Sequence, residues 1–321
     1  MRKVICHRRS LRVLLLACLI ACQPQAMAAQ VNSIRSASFA LMGAARRGDE
    51  AAAAKAIEGG ADIDGMDFSG DTALILAARA GHARVAQILL ARQAHTDLAN
   101  RDGETALLVA AHVCAGGVER ALLRAGAISS VVDATGAGPV MLAADHCTLA
   151  ALSPLLGSDP QLELRDKLGR TALWRAVDHG NQAAVQALLA AGADLRAAPP
   201  DAPDVLWHAV EKGNGLLVGL LLAHGATIDA ADSDGGTPLM LAARRGDEAM
   251  VAELLMGGAD PNRSNRQGTT ALMLAAGARH PHIVLSLLNA KADAALRDAK
   301  KESAYDIAKA IGDSETLALL Q

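Results

Sequence analysis

Histidine and aspartate side chains return at one fixed interval in the middle of this chain. His146 and His179 are 33 residues apart, and each directly follows an aspartate, Asp145 or Asp178. His112 lies 33 residues before Asp145. Imidazole and carboxylate groups bind transition metals and carry out acid–base catalysis. A metal or catalytic site is therefore one hypothesis, but it requires ligand atoms to converge within about 2 Å of one ion.

Other signatures of chemistry are missing from the sequence. It contains no glycine-rich phosphate loop, no His-Glu-x-x-His and no Cys-x-x-Cys motif. Residues 1–28 carry five basic side chains and no acid, which leaves 26 basic against 34 acidic groups in the remainder. A chain this acidic is a poor candidate for binding nucleic acid or an anionic membrane. We expect no cofactor and no nucleic-acid partner.

The elements that must position these side chains repeat with the same period. A Thr-Ala-Leu or Thr-Pro-Leu triplet, or a degenerate copy, recurs every 33 residues. Glycine stands two residues before most of the threonines, which is typical of a tight turn, and Thr then suits the N-cap of a helix. A fixed period of this size predicts a solenoid in which each unit packs on its neighbours. The intact triplets begin at Thr72, Thr105, Thr171, Thr237 and Thr270.

The most complete copy runs from Asp234 to Asp247 and continues through Val251, Leu254 and Gly258. This pattern resembles the ankyrin repeat, and the resemblance covers residues 39–321. It implies an all-α solenoid of about nine 33-residue helix-turn-helix units with β-turn tips. The units would lie near 37–66, 67–99, 100–132, 133–165, 166–198, 199–231, 232–264, 265–297 and 298–321. The fourth and sixth units lack part of the motif, and we interpret both as divergent repeats.

The resemblance also implies which side chains face the concave groove, namely those seven and eight positions after each threonine. The middle of this row is acidic and rich in histidine, and both ends are rich in arginine. Three interpretations of this row stay open: a solvated polar face, a charge-patterned groove for a partner protein, and a metal site. The groove candidates are Arg79, His112, Asp145, His146, Asp178, His179, Glu211, Lys212, Arg244 and Arg245. The turn-tip candidates are Phe68, Arg101, Lys167 and Arg266.

The function that the resemblance implies is a non-catalytic, monomeric scaffold that binds another protein through its groove and turn tips. Two alternatives stay open. One is a metal-binding or enzymatic protein that uses the His/Asp stripe. The other is a lipid-anchored structural spacer.

The first 28 residues have the features of an export signal. A basic segment up to Arg12 precedes an apolar run over 13–21, and Ala26-Met27-Ala28 offers a cleavage site. We expect a periplasmic or secreted protein with a flexible leader at 29–36 and no membrane span. Alternatively, Leu19-Ile20-Ala21-Cys22 resembles a bacterial lipobox, in which case Cys22 would be acylated in an outer-membrane lipoprotein.

Two of the five cysteines lie beyond that signal. Cys114 and Cys147 are 33 residues apart, and each replaces the glycine between the two helices of its unit. Export favours a disulfide between them. Geometry opposes it, because equivalent positions of packed helices lie about 8–10 Å apart, whereas a disulfide needs Cα atoms about 4.4–6.8 Å apart. Both outcomes stay open from the sequence.

Overall fold

The computed structural model describes residues 24–157, 160–200 and 202–321. In this part of the chain, eighteen α-helices form nine antiparallel pairs stacked in two layers, with no strand. This confirms the predicted all-α solenoid. The first helices of the pairs are α1 (Pro24–Arg47), α3 (Ala73–Arg79), α5 (Ala106–His112), α7 (Pro139–His146), α9 (Ala172–Asp178), α11 (Val205–Glu211), α13 (Pro238–Arg245), α15 (Ala271–Gly277) and α17 (Ala304–Ile311). The second helices are α2 (Glu50–Glu58), α4 (Ala83–Ala91), α6 (Gly116–Arg124), α8 (Leu149–Leu152), α10 (Gln182–Ala190), α12 (Gly215–Ala223), α14 (Glu248–Met256), α16 (Pro281–Asn289) and α18 (Ser314–Leu319).

The repeated threonine begins the first helix of each regular unit. Thr72 Oγ1 accepts a hydrogen bond from the amide of Ile75 at 3.2 Å, and the other triplet threonines cap their helices in the same way. Each cap satisfies one of the amides that the first turn leaves without a helical partner. Asp204 takes this role in the sixth unit, where its carboxylate accepts from the amide of Trp207 at 2.9 Å. The predicted N-caps are therefore confirmed.

Neighbouring turn tips are joined by backbone hydrogen bonds. The amide of Arg101 donates to the carbonyl of Ser69 at 3.1 Å, and the amide of Arg266 donates to that of Asp234 at 2.9 Å. A carbon atom added at Gly70, where φ is +81°, would lie 2.9 Å from the Arg101 amide nitrogen. This close contact explains why glycine occupies the turn. Bonds of this kind join the tips of the second and third units, of the fourth and fifth, and of the seventh to the ninth.

The core consists almost entirely of leucine, valine and alanine contributed by both layers. One fully buried position is different: Glu119 in α6 stands where Ala86, Val185 and Val218 stand in other units. No residue in the described part of the chain donates a hydrogen bond to its carboxyl group. Burial raises the pKa of Glu119 to about 8, so this side chain is protonated at neutral pH.

The fourth unit departs from the regular pattern. Gly138 cannot cap α7 with a side chain, and the second helix is reduced to α8, which continues as a 3-10 turn from Ser153 to Leu156. Gly116 of α6 lies against this segment, because an added carbon would be 2.8 Å from the Cα of Ala151. The second helices of the third and fourth units therefore approach each other closely where the repeat is most degraded.

The N-terminal end also differs from expectation. Residues 29–36 form part of α1 instead of the expected flexible leader. Pro24 suits the first turn of a helix, and Leu41 and Ala45 anchor the other end in the core. Most of the predicted signal segment, including Cys22, lies outside the described residues.

None of the helices that the structure describes combines the length and apolarity needed to cross a bilayer.

Candidate binding face and its charge network

The predicted groove residues occupy equivalent places at the ends of the first helices. Helices α3, α5, α7, α9, α11 and α13 each end at one of these residues. Consecutive first helices pack against one another, so these ends form a row along the stack. The row exists as predicted, but its charged side chains are engaged in unequal ways.

Arg79 lies between two carboxylates from the turn tips. Its Nη2 atom is 3.2 Å from Asp71 and 3.3 Å from Glu104. Asn100 completes the group, because its side-chain amide donates to Asp71 at 2.8 Å and to Glu104 at 3.1 Å. The side chain of Asp71 is buried, whereas that of Arg79 is about half-exposed. Arg79 therefore connects the row of helix ends to the turn tips of the second and third units.

Asp145 forms a bidentate ion pair with Arg175 of the next unit. Arg175 Nε donates to one oxygen at 2.8 Å, and a terminal nitrogen donates to the other. A further carboxylate, Asp166, lies 3.8 Å away. Burial alone would lower the pKa of Arg175, but Asp145, Asp166 and Asp133 together raise it. Asp145 is therefore an internal partner of this stack and not a free groove charge.

Two side chains from the following unit hold Asp178. Lys212 Nζ lies 2.7 Å from its carboxylate, and His208 Nε2 lies 3.0 Å from the same oxygen. Burial alone would raise the pKa of Asp178, but the hydrogen bonds from Lys212 and His208 lower it. The second acid of the predicted stripe is thus also neutralised within the protein.

His208 is the most constrained imidazole in this network. Its ring stacks on the indole of Trp174, with centroids 4.2 Å apart, and its Nδ1 atom lies 3.2 Å from Glu211. Both ring nitrogens thus face carboxylates, Glu211 on one side and Asp178 on the other. Only the protonated imidazole can donate to both at once. Trp207, 33 residues after Trp174, is half-buried and donates from its indole nitrogen to the carbonyl of Gly236 at 3.3 Å.

The sequence interpretation missed Arg175 and His208, although a signal was available. Both occupy the position four residues after the capping residue, which is apolar in the other units. Two polar residues in adjacent copies of an otherwise apolar column indicate a shared polar partner. The apolar occupants of this column are Leu76, Val109, Leu142, Leu241, Leu274 and Ile307.

The predicted His/Asp stripe does not converge on a single point. The rings of His112 and His146 meet edge to face with centroids 6.0 Å apart. His179 Nδ1 lies 3.5 Å from Asp145, which is already bonded to Arg175. Across 24–157, 160–200 and 202–321, one set of three potential metal ligands lies within 4.8 Å, and it contains none of the aspartates.

That set is His146 with the two cysteines. Cys114 and Cys147 are joined in a disulfide with their Cα atoms 5.3 Å apart. Cys114 has the positive φ of 60° that glycine adopts at this loop in other units, whereas Cys147 is extended. The loop after α7 therefore bends toward its neighbour, which brings the Cα atoms closer than the spacing of packed helices would give.

The two arginines at the far end of the row, Arg244 and Arg245, differ in their contacts. Arg245 donates to the backbone carbonyl of Glu211. Arg244 is exposed and lines a depression of about 360 Å³ together with Trp207, Asp232 and Gln267. Arg244 forms no ion pair with any residue that the structure describes, so its charge is available to a ligand.

The turn tips expose apolar as well as basic side chains. Phe68 is 82% exposed and Leu168 is 65% exposed, although both stand on tips fixed by backbone hydrogen bonds. Arg101, Lys167 and Arg266 are exposed on the same edge, and none forms an ion pair within the described parts of the chain. Four of these five residues, all except Leu168, are among the tip contacts predicted from the sequence.

An apolar depression lies where α1 meets the first tip. Its volume is about 500 Å³, and its walls include Ile34, Phe39, Met66 and Phe68. Phe39 is 51% exposed and Met66 is 49% exposed, which is unusual for side chains of this size. Exposed apolar patches of this kind mark interaction surfaces. The sequence interpretation did not find it, because it expected a flexible leader here instead of a helix.

These features define a class of protein: a solenoid of stacked helical pairs that presents a long, preorganised surface. Family comparison matches "Ankyrin repeats (3 copies)" over residues 41–127 and 205–308 and "Ankyrin repeat" over 168–199. The chain therefore belongs to the ankyrin-repeat family, whose members generally serve as protein–protein interaction modules and typically are not enzymes. A search of the curated proteins finds no match to the chain. The fourth unit, near 133–165, falls between the matched segments.

Proposed function

We propose that this protein is a non-catalytic scaffold of the bacterial cell envelope that binds another protein through its turn tips and groove. The observation that carries the proposal is the exposure of large apolar side chains on a fixed backbone. Phe68 is 82% exposed beside an apolar depression of about 500 Å³. Burying such an anchor on association is favourable, and a rigid tip loses little conformational entropy on docking.

The groove contributes less binding energy than the tips in this proposal. Asp145 already pairs with Arg175, and Asp178 already contacts His208 and Lys212. A binding protein would therefore have to displace these internal contacts before it could pair with either carboxylate. Arg244 is the exception, because it is exposed beside a depression. We therefore assign affinity to the apolar tip and electrostatic selection to Arg244 and the basic tips.

Two observations support export to the envelope. Residues 1–28 have the charge, apolar run and small residues of a signal peptide. The disulfide between Cys114 and Cys147 is of a kind that persists in oxidising compartments. Mass spectrometry of the mature N-terminus tests this proposal: a chain that begins at Ala29 supports a free envelope protein. Acylated Cys22 supports the lipid-anchored alternative, and an intact Met1 contradicts export.

Affinity capture from an envelope extract tests the binding surface. The immobilised chain is compared with Phe68→Ala, Arg244→Glu and a control, Met256→Ala, whose residue is 83% exposed on the second helix α14. Loss of a hot-spot anchor costs about 2 kcal/mol or more. We therefore expect Phe68→Ala to reduce capture of a specific protein at least about 10-fold. Equal capture by Phe68→Ala and Met256→Ala would contradict the proposal.

A metal-dependent or enzymatic function that uses the His/Asp stripe has weaker support. The aspartates are engaged in ion pairs, and His146 and His179 each lie against a backbone carbonyl.

A further inference from the structure

A second site lies at the loops that join α5 to α6 and α7 to α8. A sulfur of Cys114, a sulfur of Cys147 and a ring nitrogen of His146 all lie within 4.8 Å of one another. Cys147 is buried, Cys114 is half-buried and His146 is exposed, so the group opens to solvent on one side. Around a tetrahedral zinc ion, with bonds of about 2.0–2.3 Å, ligand atoms lie roughly 3.3–3.8 Å apart. Small side-chain rotations are therefore enough to bring the three groups to one ion.

The imidazole of His146 is held by a backbone carbonyl at one of its two ring nitrogens. Its Nε2 atom lies 3.1 Å from the backbone carbonyl of His112. In the tautomer that donates to this carbonyl, Nδ1 carries a free lone pair. Metal-ligating histidines commonly donate their other ring N–H to a backbone carbonyl, which fixes the ring and its tautomer. This contact has no role in the disulfide itself.

We infer that the reduced protein binds Zn²⁺ through Cys114, Cys147 and His146, with water in the fourth position. A dithiol reductant donates two electrons and two protons to the disulfide, which gives two protein thiols and a reductant disulfide. Zn²⁺ then replaces both thiol protons, which are released to solvent, and forms two thiolate bonds and one imidazole bond. The same two loops are thus joined by a covalent bond when oxidised and by a metal ion when reduced.

This inference does not rest on the proposed protein-binding function, which assigns affinity to the apolar tip and electrostatic selection to Arg244 and the basic tips and gives His146 no part in binding. It also differs from the predicted His/Asp site. It uses one of the predicted histidines and replaces the aspartates with thiolates, which are ligands that zinc favours.

Cobalt substitution provides the test. The full chain is prepared with Cys6, Cys18 and Cys22 replaced by serine, so that thiols arise only from Cys114 and Cys147. It is reduced anaerobically with a phosphine and titrated with Co²⁺, whose thiolate complexes absorb in the near ultraviolet. We expect a charge-transfer band that saturates at one Co²⁺ per chain, is abolished by Zn²⁺ and is absent from the oxidised chain.

Variants then assign the ligands. His146→Asn is expected to weaken Co²⁺ binding at least about 10-fold, whereas His112→Asn, a matched exposed histidine whose backbone carbonyl is retained, leaves it within about 3-fold. Circular dichroism verifies that both variants remain folded. Equal affinity of His146→Asn and the parent chain would overturn the site. The absence of a thiolate band from the folded, reduced parent chain would also overturn it.

Discussion

The indole of Trp174 and the imidazole of His208 lie face to face, with ring centroids 4.2 Å apart and an interplanar angle of 14°. The two residues belong to α9 and α11, so the contact joins the first helices of adjacent units. The same imidazole bonds to Asp178 and lies against Glu211. His208 therefore contributes both to the packing and to the polar contacts between these units, and Lys212 provides a second contact to Asp178.

Replacement of His208 by alanine tests this dependence. His208→Ala removes the stack and one of the two side-chain contacts of Asp178, and we expect a loss of about 2 kcal/mol in the free energy of unfolding. Urea denaturation measures the change. His179→Ala is the matched control, because His179 is about half-exposed and lies 3.5 Å from an already paired carboxylate. A loss in the control equal to that in His208→Ala would argue against a special role for the stack.

Arg175→Leu restores the apolar residue that most units have at this position, yet we expect it to destabilise the protein by about 3 kcal/mol. The substitution leaves Asp145 without its bidentate partner and leaves Asp166 with Arg170 alone. Removal of one member of a buried pair is costly because the other charge stays desolvated. Thermal or urea unfolding checks the value, and Lys167→Leu, at an exposed tip, is expected to change stability by less than about 0.5 kcal/mol. A neutral or stabilising Arg175→Leu would show that the ion pairs contribute nothing.

Glu119 gives stability a characteristic pH dependence. Burial raises its pKa to about 8 from 4.5, so between these values the folded state holds a proton that the unfolded state has lost. Stability attributable to this group is complete below about pH 4.5 and falls until about pH 8, by at most about 5 kcal/mol. Glu119→Met, an unbranched apolar replacement, is expected to remove this slope and to stabilise the protein at pH 8.

Unfolding measured between pH 5 and pH 9 in urea gives the comparison. Glu50→Gln is the control, because Glu50 is exposed in the first turn of α2 and should leave the slope intact. An identical slope in Glu119→Met and the parent chain would mean that another group titrates.

Reduction of the disulfide is expected to lower stability by about 3–4 kcal/mol. The bond closes a loop of 33 residues, and the value follows from the loop-closure entropy of the unfolded chain. Thermal unfolding with and without a phosphine reductant measures it. The double variant Cys114→Ser, Cys147→Ser should have the lower stability in both conditions. Any further response of that variant to the reductant would point to the other cysteines.

The period of the sequence was sufficient to predict the architecture. Thr72 and its equivalents indicated each helix start, because a hydroxyl cap suits only that position. Because the same capping residue recurs at a fixed spacing, a helix start that is ambiguous in one unit can be located from the neighbouring units. The four-residue α8 could not be predicted in this way, since its unit lacks both Thr and the closing Gly-Ala.

The candidate site was predicted less well than the fold. Counting from Thr located Asp145 and Asp178 on the row, but their partners, Arg175 and His208, stand three residues before the equivalent row position in the next helix. Which acid meets which base depends on how far each helix is displaced relative to its neighbour, and that displacement is set by packing. The disulfide shows the same limit of sequence reasoning. The average spacing of packed helices argued against it, but the extended backbone of Cys147 brings the two cysteines together.

The disulfide between Cys114 and Cys147 also affects how the array responds to a pulling force. A solenoid pulled at its two ends lengthens as units detach in turn. With the bond intact, the segment between the cysteines, which are 33 positions apart, cannot extend, and this shortens the fully stretched chain by roughly 110 Å. The closed loop contains α6 and α7, so these two helices resist extension, whereas the short α8 lies outside the loop.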